Sequence, residues 1–320
     1  MTIMNKIFAG LLLASASAMP VMAADFPEKP VTMIVAYSPG GGNDTVARLM
    51  AQHIEPYLGT RMVVENQAGA GGQVGFTRLA RAKNDGYTIG LLSAPSIFMI
   101  ELLREGVAFS QDDFQPIANI QSDPILLTVN ADSDLTDFAA LKAEIESKPG
   151  SVNIAGDGPQ SNVHLQAAAF EKTLGLDINF VSYAGSGPSA TALLGNEVRA
   201  ALLTTSSALQ FVNAGKVRAL GVFSPERHPS LPDVPTISEL TGENMPGVGT
   251  AIRGVVSPAG VDADRVAHLS GAFEQLLQDE AFIEAADNAG IVLTYMGAEE
   301  FSGLLDETMA DTRQFITLME

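Results

Sequence analysis

The sequence predicts an α/β protein of two lobes, each built on a mainly parallel sheet with helices on its faces. From residue 31 to residue 92, apolar runs typical of buried strands alternate with segments of helical spacing. That alternation indicates parallel strands joined by right-handed crossovers. It stops at residues 114–130, where two extended runs follow each other, and it resumes at residue 152. Because 320 residues are many for one core, we expect the chain to enter a second lobe there.

The same pattern places the individual elements. Strand predictions in the first half fall at residues 31–37, 61–65 and 87–92, each followed by a helix. Those of the second half fall at residues 152–155, 178–182, 198–203 and 217–223, with helices between them. The proline-rich segment 224–235 is interpreted as the return linker, before a strand at 251–257 and helices near 262–278 and 298–318. The expected organisation is a signal peptide at residues 1–23, a first lobe of residues 24–122 plus 225–320, and a second lobe of residues 123–224.

The composition restricts the class of ligand. The chain carries 37 acidic and 18 basic residues, a formal net charge of −19. Nucleic acid is therefore disfavoured as a ligand, because phosphate neutralisation needs a basic surface. An anionic ligand is still compatible with this composition if local dipoles bind it strongly enough to overcome repulsion by the net negative charge of the protein. The chain has no cysteine, which excludes disulfides, thiolate chemistry and cysteine-bound metals.

The N-terminal segment predicts export. Lys6 precedes an apolar run over residues 7–19 that is too short to span a bilayer, and Ala23 completes a small-residue cleavage site. An uncleaved anchor is the weaker alternative, because Ser15 and Ser17 interrupt the apolar run. We therefore expect a periplasmic protein whose signal peptide is cleaved near Ala23 and Ala24.

Three glycine-rich turns join a predicted strand to a predicted helix: SPGGGND at residues 38–44, QAGAGG at 67–72 and AGSGP at 184–188. Such a turn aims backbone N–H groups and the positive end of a helix at one point, which suits an anion. Glycine also serves simply to make tight turns, and for residues 67–72 both interpretations stay open. The first and third turns lie in different predicted lobes. Together they indicate that the two turns form opposite walls of one ligand cleft.

Cofactor and catalytic motifs are weak. Gly185, Gly187 and Ala190 match the spacing of a dinucleotide-binding turn, but the acidic residue expected about 20 positions later is missing. Residues 38–44 lack the Gly-Lys-Ser/Thr ending of a phosphate-binding loop. The four histidines show no metal-ligand spacing, and no G-x-S-x-G motif exists. A Ser-His-Asp set that only the fold assembles stays open.

Several polar residues have two interpretations. Residues 160–162 either donate to a ligand or cap a helix, and Thr204 to Ser206 present the same ambiguity after another strand. His164 either faces the cleft or lies satisfied in the core. Asp44 and Arg48 are spaced for an ion pair on the helix surface, and the alternative is that Asp44 orients a ligand or a water. We expect Arg253 to be a solvated strand residue, with a cleft cation as the alternative.

Read together, several segments resemble a known family. They are FPEKPVTMIVAYSPGGGNDTVAR (26–48), VVENQAGAGGQVG (63–75), NDGYTIGL (84–91), SYAGSGPSATALLGNEV (182–198), AGKVRALGV (214–222), LPDVPTISE (231–239) and RGVVSPAGV (253–261). This set is similar to the extracytoplasmic solute-binding receptors of tripartite tricarboxylate transporters, the Bug family. The resemblance implies a two-lobed, type II periplasmic-binding-protein fold. It also implies that backbone N–H groups and ordered waters of residues 38–44 and 184–188 hold a ligand carboxylate.

The leading prediction is a monomeric receptor that binds a small di- or tricarboxylate, or a related acid, and delivers it to the membrane subunits of a transporter. Its lobes are expected to close about residues 122–125 and 224–235. A secreted α/β hydrolase using the same cleft and a ligand sensor of a two-component system are the alternatives. We expect no enzyme activity, cofactor or metal. The predicted ligand-binding residues are Tyr37, Ser38, Gly40, Gly41, Gly42, Asn43, Asp44, Ala94, Gly158, Ser161, His164, Tyr183, Ala184, Gly185, Ser186, Gly187, Thr204 and Thr205.

Overall fold

The computed structural model describes residues 26–40, 42–183 and 185–319. The predicted signal peptide and two of the predicted ligand residues, Gly41 and Ala184, lie outside the described residues. Within them the α/β class is confirmed, since strands and helices alternate along the chain and form two sheets with helices packed on them. No helix among the described residues is long and apolar enough to cross a membrane.

The strands are numbered in chain order. They are β1 (Val31–Val35), β2 (Met62–Asn66), β3 (Thr88–Ala94), β4 (Phe114–Asp123), β5 (Ile125–Asn130), β6 (Asn153–Asp157), β7 (Asn179–Tyr183), β8 (Ala200–Thr204), β9 (Val217–Phe223), β10 (Ala251–Pro258) and β11 (Leu293–Gly297).

The α-helices are numbered in the same way. They are α1 (Gly42–His53), α2 (Glu55–Leu58), α3 (Gln73–Ala80), α4 (Ser96–Leu103), α5 (Phe138–Ser147), α6 (Asn162–Leu174), α7 (Ser186–Leu194), α8 (Thr205–Asn213), α9 (Ile237–Thr241), α10 (Ala263–Leu276), α11 (Glu280–Asn288) and α12 (Ala298–Phe315).

The first sheet has the strand order β11-β4-β10-β3-β1-β2, and the second has the order β7-β6-β8-β5-β9. In the first sheet β1 pairs in parallel with β2 and β3, while β10 is antiparallel to both β3 and β4. In the second, β6 pairs in parallel with β7 and β8, and β5 is antiparallel to β8 and β9. Most strands of each sheet therefore run in one direction. The exceptions are β10 and β11 in the first sheet and β5 in the second.

The chain crosses from the first sheet to the second at Pro124, between β4 and β5. The return falls later than the predicted linker, because Ile237 and Met245 are buried in the core of the second sheet. A small apolar cluster that includes Leu165 of α6, Met99 of α4 and Phe315 of α12 joins the two halves. Helix α12 therefore packs on the first sheet and against α6 of the second half. The exact bounds of the two lobes stay a prediction.

Four elements were not predicted from the sequence: α5, α9, α11 and β11. Two of these helices begin at an aspartate whose carboxylate accepts a backbone N–H of the first turn. Asp137 accepts from Ala140 at 2.8 Å, and Asp279 accepts from Phe282 at 2.7 Å. Such caps satisfy donors that have no partner within the helix. The cap residues are visible in the sequence, but the short apolar periods after them are too weak to stand out.

Candidate functional site

A cavity of about 520 Å³ lies between the two sheets, at the carboxyl ends of their strands. This is where open α/β sheets usually bind ligands. Residues of the first sheet and its helices form one wall, which we call the first wall. Residues of the second sheet and its helices form the second wall. The second wall is lined by Asp157, Asn162, Ser186, Gly187, Thr204, Ser206 and Ser207.

Several helices begin at this cavity. Residues of their first turns line it: Gly42 and Asn43 of α1, Ser96 of α4, Asn162 of α6, Ser186 and Gly187 of α7, and Ser206 and Ser207 of α8. The first turn of a helix has backbone N–H groups without intrahelical partners and carries the positive end of the helix dipole. Both walls therefore present positive partial charge to the cavity, although the protein as a whole is strongly acidic.

The loop before α1 is fixed by a buried aspartate. The Gly40 N–H donates to Oδ2 of Asp44 at 2.8 Å, with a φ of +82° that favours glycine. The Asn66 amide donates to Oδ1 of Asp44 at 2.9 Å and to the Tyr37 carbonyl at 3.1 Å. The predicted pair with Arg48 is present, because the Arg48 Nε donates to Oδ2 of Asp44 at 2.9 Å. Asp44 thus ties the loop to β2.

These contacts keep Asp44 ionised. Hydrogen bonds from Arg48, from the Gly40 N–H and from Asn66 outweigh the effect of burial and lower the pKa of Asp44 to about 2. The residue is only 3% exposed and is not part of the cavity lining. Its charge is therefore neutralised within the loop, and Asp44 positions the backbone without facing a ligand.

Arg253 corrects the expectation of a solvated strand residue. It lies on β10 between Ser93 of β3 and Gln121 of β4, and all three side chains line the cavity. Its Nη1 donates to Oε1 of Gln121 at 2.7 Å. A Cβ added to Gly42 would lie 3.4 Å from its Nη2, so the guanidinium sits directly beside the start of α1. Burial lowers the pKa of Arg253, partly offset by the charge of Asp123.

Three buried polar atoms of the first wall have no hydrogen-bond partner among the described residues. They are the Tyr37 hydroxyl oxygen, Oδ1 of Asn43 and Nε of Arg253. Burial raises the pKa of the Tyr37 phenol, and the hydroxyls of Ser93 and Ser96, which lie near it without hydrogen-bond geometry, oppose that shift. Buried polar groups are nearly always satisfied in folded proteins. A concentration of unsatisfied groups at one cavity is therefore typical of a site that a polar ligand completes.

On the second wall an aspartate contacts the loop before α7. The Ser186 hydroxyl lies 3.0 Å from Oδ1 and 3.2 Å from Oδ2 of Asp157, to which it donates. The Ser189 hydroxyl donates to the Gly185 carbonyl at 3.1 Å. Burial raises the pKa of Asp157, and the hydrogen bond from Ser186 lowers it by a smaller amount. Unlike Asp44, Asp157 lines the cavity.

The start of α8 is tied to the crossing between the sheets. Asp123, the last residue of β4, accepts from the backbone N–H of Ser206 at 3.0 Å and from its hydroxyl at 2.5 Å. Thr205 donates its hydroxyl to the Pro124 carbonyl at 2.9 Å. Burial raises the pKa of Asp123, and the bonds from Ser206 and the charge of Arg253 oppose that shift. The crossing, Arg253 and α8 therefore form one connected polar group.

The structure divides the predicted ligand residues that it describes into two groups. Those that line the cavity are Tyr37, Gly42, Asn43, Ala94, Ser186, Gly187 and Thr204. Those outside the lining are Ser38, Gly40, Asp44, Gly158, Ser161, His164, Tyr183, Gly185 and Thr205.

Local contacts explain the second group. Ser38 and Gly40 are exposed, and Asp44 and Thr205 are turned into the hydrogen bonds described above. Gly158 and Gly185 accept helix-start bonds through their carbonyls, from the Ser161 N–H at 3.2 Å and the Ser189 N–H at 3.1 Å. Tyr183 packs against the apolar cluster between α7 and β8. These residues therefore lie outside the cavity lining, and most of them hold neighbouring backbone in place through the contacts described.

Ser161 and His164 do not form a catalytic pair. The Ser161 hydroxyl caps α6 by accepting the His164 backbone N–H at 3.1 Å. The His164 ring stacks on Phe180 at 4.7 Å, and its Nδ1 accepts the Gln160 N–H at 3.2 Å. Burial lowers the pKa of His164. In this structure Ser161 therefore caps α6 and His164 packs on Phe180, and contact of either residue with a ligand stays a prediction. No cluster of three or more metal-ligating side chains occurs among the described residues.

Asp157, Gln121 and Ser93 line the cavity but were not predicted from the sequence, and Arg253 was given as a cleft cation only as the alternative to a solvated residue. Asp157 carried a usable signal, since it ends a strand directly before a polar turn. The others lie within strands buried between neighbouring strands, where the apolar pattern gives no sign of which residue faces a cleft.

The profile of the tripartite tricarboxylate transporter family receptors matches residues 46–320. The chain belongs to this receptor family. Protein BugT of Bordetella pertussis is 33% identical over 279 residues, covering 86% of this chain and 85% of BugT. The family consists of receptors, so the protein is a solute-binding receptor and not an enzyme.

Solved structures of similar proteins have the same fold. A solute-binding protein from Polaromonas, solved without ligand, is 26% identical with a TM-score of 0.81, covering 91% of this chain and 99% of that one. MatC from Rhodopseudomonas palustris, solved with bound malate, is 27% identical with a TM-score of 0.68, covering 92% of this chain and 100% of that one. The predicted solute-binding fold and family are confirmed.

Proposed function

We propose that this protein is a periplasmic receptor that captures a small organic carboxylate in the cavity between its two sheets. Membership of the receptor family is established, and the class of ligand is what we propose. The carboxylate ligand of MatC, a receptor that covers nearly the whole of this chain, supports it. The single observation that carries the proposal is the first wall, where an arginine and two further unsatisfied polar side chains meet the start of α1.

The electrostatics of the first wall favour an anion. Arg253 is the one cationic side chain among the described residues that line the cavity. Its Nη1 donates to Gln121, whereas its Nε has no hydrogen-bond partner in the described part of the chain and its Nη2 lies beside Gly42. A carboxylate placed there would accept charge-assisted hydrogen bonds from the guanidinium and from N–H groups of the first turn of α1. These dipoles are fixed by the fold, so they need little reorganisation on binding.

Binding is expected to be coupled to movement of the two walls. We propose that the halves close about Pro124 and about residues 246–250, the two places where the chain passes between the sheets. Asn162 of the second wall already donates to the Gly249 carbonyl at 2.7 Å, which links one of these connections to the cavity. Closure would remove water from the ligand and strengthen each polar contact.

The proposed contacts follow the cavity lining. Of the predicted ligand residues, Tyr37, Gly42 and Asn43 would contact the ligand from the first wall, and Ser186 and Thr204 from the second. The proposal also includes export with cleavage of the N-terminal segment, a monomeric state, and delivery of the ligand to the membrane subunits of a transporter. The mass of the denatured periplasmic protein would test the cleavage, and the mass of the native protein would test the monomeric state.

The experiment is a thermal-shift screen of small carboxylates and their amides, confirmed by calorimetry. A ligand that binds only the folded state raises stability by RT ln(1 + [L]/Kd), so millimolar concentrations detect micromolar binders. Hydrogen bonds to a charged partner contribute about 1.5–3 kcal/mol, so Arg253→Gln should weaken the binding of a hit by roughly 10- to 100-fold. The matched control is Arg81→Gln, which removes the same charge from an exposed position of the same half.

The amide of each hit should bind far more weakly than the acid, because it removes the negative charge that the first wall is built to hold. Binding that survives Arg253→Gln, or that is equal for acid and amide, would contradict a carboxylate at the first wall. The absence of binding by any carboxylate would contradict the proposed ligand class.

A further inference from the structure

The cavity carries two formal charges of opposite sign on opposite walls. Among the described residues that line it, Arg253 on the first wall and Asp157 on the second are the ionisable ones, apart from the Tyr37 phenol. The two do not form an ion pair with each other: Arg253 interacts with Gln121 and with the charge of Asp123, and Asp157 interacts with Ser186. Two opposite charges that line one small cavity without pairing with each other are an unusual arrangement, because each bears a cost of desolvation.

Asp157 has acceptor capacity to spare. A carboxylate offers about four lone-pair positions. In the part of the chain that the structure describes, the Ser186 hydroxyl is the one hydrogen-bond donor found for Asp157, and no lysine, arginine or histidine pairs with it. Its burial raises its pKa, which is the sign of a carboxylate that lacks a compensating cation.

This residue restricts the chemistry of the ligand at the second wall. A second carboxylate there would meet a like charge, which is repulsive and worsens as the walls close. An apolar group would leave Asp157 desolvated and unsatisfied. A hydroxyl would supply one hydrogen bond and leave the charge of the aspartate uncompensated, whereas an ammonium group would supply a hydrogen bond and neutralise the aspartate.

We propose that the ligand is an amino-substituted carboxylate, whose carboxylate lies against Arg253 and the start of α1 while its ammonium group donates to Asp157. The inference rests on the proposed function and narrows it from carboxylates in general to amino acids. A zwitterion matches the polarity of the two walls, and its own near-zero net charge avoids repulsion by the acidic protein.

The test compares acids that share a skeleton and differ only at the second carbon. The series are propionate, lactate and alanine; succinate, malate and aspartate; and glutarate, 2-hydroxyglutarate and glutamate. Calorimetry on the full mature protein should show, within the series that fits, the amino acid binding about 10-fold or more tighter than the unsubstituted acid, with the hydroxy acid between them. Asp157→Asn should weaken the amino acid by roughly 10- to 100-fold and leave the unsubstituted acid unchanged or tighter.

The control is Asp177→Asn, which removes a carboxylate from an exposed position of the same half, at the opposite end of β7 from the cavity. It should leave all affinities unchanged, and thermal unfolding should show that both variants fold. If unsubstituted acids bind as tightly as amino acids, the inference is overturned while the proposed function stands. If Asp157→Asn weakens every member of a series equally, Asp157 only supports α7 and the inference is also overturned. If no carboxylate binds, both fail together.

Discussion

The glycine turns before α1 and α7 each have an aspartate as a hydrogen-bond partner, but the two aspartates differ in electrostatic surroundings. Asp44 is surrounded by donors from Arg48, Asn66 and the Gly40 N–H, and its pKa is lowered to about 2. Among the described residues Asp157 receives the Ser186 hydroxyl alone, and burial raises the pKa of Asp157. Asp44 is not part of the cavity lining, whereas Asp157 is.

This difference separates a structural role from a binding role. Where donors satisfy the hydrogen-bonding capacity of an aspartate, its charge is compensated within the protein and the residue holds the backbone in place. Where it is under-satisfied and faces a cavity, it retains capacity for a ligand at a cost in stability. We therefore expect the loss of the two aspartates to change the free energy of unfolding by different amounts, and their ionisation to affect stability with opposite sign.

The largest effect is expected for the loss of the Asp44 side chain. Asp44→Ala would leave the Gly40 N–H and the Asn66 amide without their acceptor, and it should lower the free energy of unfolding by about 2 kcal/mol. Asp157→Ala should change it by less than about 1 kcal/mol, since it removes one hydroxyl bond and one poorly compensated charge. Urea unfolding of both variants measures the difference. Equal losses would contradict the distinction between the two residues.

The response to acid should be of opposite sign for the two residues. The folded pKa of Asp44 lies below its unfolded value of 3.8, so its stabilisation is complete above pH 4 and is lost as the pH falls through about 2. The folded pKa of Asp157 is raised, so its ionisation destabilises the protein at neutral pH and protonation relieves that cost. Below pH 4, Asp44→Asn should therefore reduce the acid sensitivity of unfolding. At pH 7, Asp157→Asn should be neutral or stabilising.

The smallest effect is expected for Arg48, whose side chain is half exposed. Arg48→Gln removes the largest contribution to the lowered pKa of Asp44, so that pKa should rise toward its ordinary value while Gly40 and Asn66 keep the loop in place. Titration of the Asp44 carboxyl by NMR measures the shift, and urea unfolding should show a smaller loss than Asp44→Ala. A loss as large as that of Asp44→Ala would mean that the ion pair, and not the loop contacts, carries the stabilisation.

Much of the fold could be predicted because local pattern and topology agree in this chain. Buried strands such as β1, followed by a glycine turn and the amphipathic α1, are recognisable from periodicity and turn chemistry alone. The pair of Asp44 and Arg48 was predictable for the same reason, since positions i and i+4 are neighbours on any helix. The contact between Asp44 and Asn66 of β2 was not, because it depends on how the two segments pack.

The site could be predicted only where local sequence determines it. Glycine turns at strand ends lead to the correct edge of each sheet, and so to Gly42, Asn43 and Ser186. Arg253 lies in the interior of β10 with neighbours on both sides, and its direction depends on the register with β3 and β4. The roles of His164 and Ser161 were ambiguous because capping and ligand contact use the same residue types at the same place.

The most direct test of a carboxylate held between the two walls is a crystal structure of the mature protein with the tightest-binding acid from the calorimetric screen. We expect a carboxylate oxygen within hydrogen-bond distance of the Arg253 guanidinium and of a first-turn N–H group of α1, with second-wall residues closed over the ligand. A ligand bound outside this cavity, or with its carboxylate turned away from Arg253, would contradict it.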